Sequence, residues 1–185
     1  MRTASIGPTL ETERLILRPP TADDFEPWVA FAADPEVAQF IGGVLSRAMV
    51  WRSICSVTGA WTINGFSMFS VIEKSTGGWV GRLGPWRPVD WPGSEVGWAL
   101  ARDAWGKGYA LEGATAAIDW AFDQLGWTEV IHAIDPTNIR SSNVARRLGA
   151  THLRDAILPE PLNVAVQIWG QSREDWLARS RPVRP

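Results

Sequence analysis

The sequence predicts an α+β fold of about seven strands with four or so helices intermixed, on three observations. Short alternating or continuous apolar runs recur along the 185 residues. Between them lie segments with the i, i+3, i+4, i+7 spacing of amphipathic helices. No repeat or linker interrupts them, so residues 1–180 are expected to form one domain and 181–185 a disordered tail.

ETERLILRP (11–19) alternates at Leu15 and Leu17 and ends in prolines, as a strand does. Thr21 and Asp24 have capping-box spacing ahead of a helix striped by Phe25, Trp28, Val29 and Ala32. A helical turn follows at PEVAQFIG, and 46–63 reads as a less regular helix. FSMFSVIE (66–73) and WVGRLGPW (79–86) form a hairpin about the turn KSTGG. RPVDWPG (87–93) is a loop and SEVGWAL (94–100) a strand. A glycine-rich turn then leads into a helix carrying Leu111, Ala114, Ile118, Ala121, Phe122 and Leu125 on one face. EVIHAI (129–134) is apolar enough for the middle of a sheet. Ser141 is placed to cap the next helix, which Gly149 ends. THLRDAIL and NVAVQIWG read as strands, and Ser172 with Asp175 boxes the start of a last helix, REDWLAR.

The composition bounds the function. Apolar residues make up 45% and the net charge is -2, so neither nucleic acid nor an anionic membrane is called for as a partner. No apolar run reaches bilayer length and the N-terminus lacks a signal-peptide core, which leads to the expectation of a soluble, cytoplasmic protein. The single cysteine, Cys55, excludes an internal disulfide. His132 and His152 lie at no ligand spacing from each other or from Cys55, so no metal centre is expected. Twelve tryptophans bury large areas and need partners for their indole N–H groups.

The informative stretch is the turn Trp105-Gly106-Lys107-Gly108-Tyr109-Ala110. Free N–H groups at a helix start, the helix dipole and unobstructed glycines together suit a phosphate or pyrophosphate. It is neither a Walker loop, since Gly108 follows Lys107, nor a dinucleotide fingerprint, since Leu111 holds the third small position. A tight turn without a ligand remains the plainer alternative on the turn alone.

The longer phrase SEVGWALARDAWGKGYALEGATAAIDWAF resembles the pyrophosphate motif of the GNAT superfamily of acyl-CoA N-acyltransferases, specifically its RimJ/RimL-like branch, with Trp105 where many members have Gln or Arg. LETERLILRPPTADDFEPW, NIRSSNVARRLGA and the closing W…SREDW resemble the same branch in order, over about residues 10–178. The resemblance implies a GNAT-type central, mostly antiparallel sheet, splayed between strands 94–100 and 129–134. It implies acetyl-CoA as co-substrate: Trp98, Ala99 and Leu100 pairing with the pantetheine arm, Trp105 to Ala110 taking the diphosphate, and Asn138 and Asn143 assisting. The acceptor would be a primary amine, either a protein N-terminus or a small molecule, and transfer would be direct in a ternary complex. Family members often pair, but no residue here demands a homodimer.

Transfer needs a deprotonated amine, donors for the oxyanion and a proton for the thiolate. The resemblance makes Glu95 the base, against the plainer reading of a solvated strand-end carboxylate. It makes Ser141 the acid where many members use tyrosine, against a plain helix cap. Glu112 is read as structural. Arg102, Arg140, Arg146 and Arg147 read as a solvated face or as reaching the 3′-phosphate. Trp86 and Trp91 would wall an acceptor pocket or merely pack, and Asp90 and Glu160 flank the same region. A CoA-binding sensor or scaffold without turnover is the alternative function.

Overall fold

The computed structural model describes residues 6–179. One sheet contains β1 (Leu10–Glu11), β2 (Leu15–Arg18), β3 (Phe69–Glu73), β4 (Trp79–Trp86), β5 (Glu95–Leu100), β6 (Glu129–Ile134), β7 (Thr151–Ile157) and β8 (Ala165–Ser172). Their spatial order is β1-β2-β3-β4-β5-β6-β8-β7. All neighbours are antiparallel except β5 and β6, which are parallel. The helices are α1 (Phe25–Ala33), α2 (Pro35–Ala38), α3 (Arg47–Asn64), α4 (Tyr109–Gln124), α5 (Ile139–Leu148) and α6 (Arg173–Arg179). Among the described residues there is thus one strand more than expected, while the six α-helices fall on the helical segments read from the sequence. The additional strand is the two-residue β1, because Thr12 donates its N–H to Leu15 O and bends the first segment back on itself.

Of two expected caps, one is present and one moves. Asp24 closes a capping box with Thr21, as their spacing predicts, at the 3-10 turn Ala22–Asp24 that leads into α1. Its buried carboxylate accepts from Thr21 N, Ser70 Oγ and both Nη groups of Arg18. Helix α5 starts earlier than read, because Asn138 Oδ1 accepts from Ser141 N at 3.0 Å. Asn138 is thus the cap, and Ser141 lies inside the first turn.

Helix α4 links the parallel strands and packs closely on β4. A Cβ at Gly113 would lie 2.5 Å from Leu83 Cδ2, so any larger residue there would have to displace the Leu83 side chain. Ala114, Ala117, Ile118, Ala121 and Phe122 fill the interface. Each fully buried large side chain there contributes about 1.5–3 kcal/mol. Trp28, Phe31, Val50, Ile54, Val57 and Met68 make a second cluster under α1 and α3. Buried indoles find partners as expected: Trp61 Nε1 donates to Met68 O at 3.1 Å and Trp79 Nε1 to Ser70 Oγ at 3.1 Å. No helix among the described residues is long and apolar enough to cross a membrane.

Candidate active site

The site begins where the parallel pair stops. Strands β5 and β6 share one register position, Glu95 opposite Ile131, with Ile131 N donating to Ser94 O. Beyond it, side chains take over the groups a ladder would have paired. His132 Nδ1 donates to Val96 O at 2.7 Å, and Ala133 N donates to Glu95 Oε1 at 3.2 Å. The carbonyl can only accept, so the ring proton sits on Nδ1. Burial pushes the His132 pKa down to about 4, leaving the ring neutral.

Hydrogen-bond alternation decides which main-chain groups line this fork. Ala101 N donates to Val80 O, so residues 99, 97 and 95 turn toward β4. Val96, Trp98 and Leu100 turn toward the fork, as the bonds on Val96 O and Leu100 O show. The main chain of Ala99 therefore faces β4, and only Trp98 and Leu100 of the expected trio present theirs to the splay. Leu100 O is already occupied by Trp105 Nε1 at 2.8 Å.

Glu95 is not solvated. It is 7% exposed, and its Oε2 accepts from Trp91 Nε1 at 2.5 Å. Burial raises its pKa to about 7, outweighing the indole bond, the Ala133 bond and the Arg82 charge, all of which pull it down. Trp91 is placed by the 87–93 loop, whose Pro88 O accepts from Trp91 N and whose Pro92 O accepts from Arg154. Trp86 lies directly opposite Glu95 on β4 and packs against the α1–α3 cluster. Both tryptophans thus stand at the carboxylate.

The glycine turn has the form of an anion cradle. Gly108, at φ 81°, caps α4 with no side-chain hydrogen bond, so the first N–H groups of the helix are left for another acceptor. Gly106 is open, with nothing within 4 Å of where a Cβ would project. The rest of the turn is braced from behind. Tyr109 donates its phenol to Glu73, and Lys107 Nζ lies 3.7 Å from the same carboxylate. Arg14 donates to Lys107 O at 2.9 Å and pairs with Glu112, which is structural as read. The only tyrosine is therefore tied away from the fork.

The remaining residues divide. Ser141 is half-buried and its hydroxyl has no hydrogen bond among the described residues. Asn143 is exposed and accepts from Arg146. Arg102 is held by Asp34 and Glu36, and Arg140 lies over the Trp105 ring. Arg147 lines a hollow with Gly108, Leu111 and Arg14. Asp90 and Glu160 are exposed. One residue escaped the sequence reading: Arg82, on the Glu95 face of β4. Its signal was a lone cation in the apolar run WVGRLGPW, but its neighbours depend on strand register.

Comparison with known proteins identifies the family and the fold. A family model described as an acetyltransferase (GNAT) domain matches residues 14–151. The FsC-acetyl coenzyme A-N(2)-transacetylase of Aspergillus fumigatus is 30% identical, over 97% of this chain and 83% of that one. The crystal structure of an acetyltransferase from Agrobacterium tumefaciens superposes with a TM-score of 0.80 at 31% identity, covering 90% of this chain and 95% of the other. A ribosomal-protein-S5-alanine acetyltransferase from Vibrio fischeri shares the fold, with a TM-score of 0.73 at 19% identity over 95% of this chain and all of that one. The chain belongs to the GNAT acetyltransferase family.

Proposed function

We propose that this acetyltransferase moves the acetyl group of acetyl-CoA directly onto a primary amine, with Glu95 as the base. The observation that carries the reading is a buried carboxylate with its pKa raised to about 7, held by two donors at the mouth of the β5–β6 fork. A base poised near neutrality accepts a proton from an ammonium without being trapped in one state. The freed amine attacks the thioester carbon, the C–S bond breaks, and the thiolate takes a proton. The Ser141 hydroxyl is the donor of that proton in this reading.

The co-substrate fits the residues present. The uncapped start of α4 suits a diphosphate, and the Trp98 main chain suits an extended amide-bearing arm. The amide group of Asn138 is spare, since the cap uses only its oxygen. The name of the Aspergillus relative supports a nitrogen acceptor. The motifs in the sequence favour the RimJ/RimL-like branch, and a cytoplasmic location goes with it. A CoA sensor without turnover gains nothing from an acid–base group in this setting, and the relatives are acetyltransferases.

Thiol release from acetyl-CoA over peptides, amino acids, polyamines and amine antibiotics tests the reading. Turnover with an amine that disappears in Glu95→Gln supports it. Turnover that survives the substitution overturns the role of Glu95.

A further inference from the structure

Arg82 is a partly buried cation to which the described residues offer no anion. The comparison with Arg18 is direct. Arg18 forks onto Asp24 with two bonds of 2.8 and 2.7 Å. Arg82 meets no carboxylate within ion-pair distance among the described residues. Its Nη1 reaches only Met68 Sδ at 2.7 Å, its Nε is covered and has no partner, and its guanidinium stands 5.7 Å from the Trp28 ring. A thioether is a weak acceptor, and a guanidinium cannot shed its charge. Such an arrangement is costly unless something else supplies the anion.

Its position names what that anion belongs to. Arg82 and Glu95 lie on one face of β4 and β5, with Gly97 between them along that face. A Cβ at Gly97 would meet Glu95 Oε1 at 3.2 Å and Met68 Cε at 3.3 Å. The Glu95 carboxylate and Met68 therefore meet over Gly97, and the guanidinium stands past Met68. We propose that Arg82 binds a carboxylate of the acceptor, so that the amine acetylated by this protein carries a carboxylate a few bonds from its nitrogen, as a free amino acid does. A planar monoanion matches the guanidinium fork. A phosphate dianion would face the Glu95 charge. The amine end of the same molecule lies toward Glu95, so one small zwitterion satisfies both ends. A peptide N-terminus has an amide where this carboxylate would be, and a polyamine has no anion.

This rests on the acetyltransferase reading above, and the experiment separates the two. Thiol release from acetyl-CoA is measured with the twenty common amino acids, their carboxamides, the matching amines lacking the carboxyl group, and peptides with free N-termini. Wild type, Arg82→Met and Arg82→Lys are compared. The best acid is expected to exceed its carboxamide by about 10–100-fold in kcat/KM, mostly through KM, the range for a charged hydrogen-bond pair. Arg82→Met is expected to erase that ratio while leaving the KM for acetyl-CoA unchanged, and Arg82→Lys to restore part of it. The melting temperature of Arg82→Met should not fall, since a partly buried cation without an ion pair is replaced by an apolar chain. Amides, amines or peptides working as well as acids in wild type overturns the proposal and leaves acetyl transfer standing. Equal losses on acids and amides in Arg82→Met also overturn it. Absence of thiol release with every amine overturns both.

Discussion

Strand β5 ends in two different environments. At its C-terminal end the chain offers main-chain groups: the fork-facing Trp98 and the uncapped start of α4 beyond Gly108. At its N-terminal end it buries a carboxylate; Arg82, opposite Ala99 on β4, shares that face of the sheet. Backbone donors bring no ionisation to manage and depend only on space above them. Buried charged groups are set by burial and by a few partners, so one atom changes their chemistry. The end proposed for the diphosphate should therefore fail through added bulk, and the end proposed for acid–base work through lost charge.

The largest expected effect is at the buried end. Glu95→Gln should lower kcat by about 100-fold or more, the usual share of a general base, with the KM for acetyl-CoA little changed. A parallel rise in that KM would mean that the two ends are not separable. Next comes Gly108→Val. A β-branched residue at φ 81° is strained by about 1–2 kcal/mol, and its bulk sits at the cradle. Acetyl-CoA affinity, read by calorimetry, should fall about 10-fold or more, because lost backbone contacts to an anion are worth that much. Unchanged binding would remove the turn from the diphosphate site.

The pH profile sharpens the same contrast. In the proposed role Glu95 accepts a proton as the carboxylate, so kcat/KM should climb as pH rises through about 7. Glu95→Gln should lose that limb. Stability follows with opposite signs on the two sides of the fork. Glu95 is raised from 4.5 to about 7, so the folded state binds its proton more tightly, and its contribution is lost as pH rises across that interval. His132 is lowered from 6.5 to about 4, so the unfolded state takes the proton first, and stability is lost as pH falls across that interval. The two oppose each other near pH 5–6. Urea titrations of Glu95→Gln should show the acid-side loss from His132 uncovered. The smallest effect is expected for Arg102→Ala. Its partners Asp34 and Glu36 are on the surface, so neither the melting temperature nor the KM for acetyl-CoA should move measurably.

Much of this molecule can be read along the chain because the determining contacts are close in sequence. Apolar periodicity located α4, and the glycines announced the turn at 105–110. The 69–86 hairpin followed from its turn residues. The motif order led to the family. Even the local readings slipped where two residues compete for one role. Asn138 and Ser141 are both good caps, and only the chain path out of β6 selects Asn138.

What the sequence determined by itself was nearly all the strands and helices, the glycine turn at the start of α4 and a carboxylic acid at the start of β5. Those depend on hydrogen bonds and spacing within a few residues of each other. The tertiary structure decided which of those residues face one another. It turned the main chain of Ala99 toward β4, placed His132 across the fork from Val96, drew Tyr109 away to Glu73, and left Arg82 without an anion on the Glu95 face. Those on the strands depend on register, and register joins residues as distant as Leu15 and Glu73 through burial that no local pattern specifies.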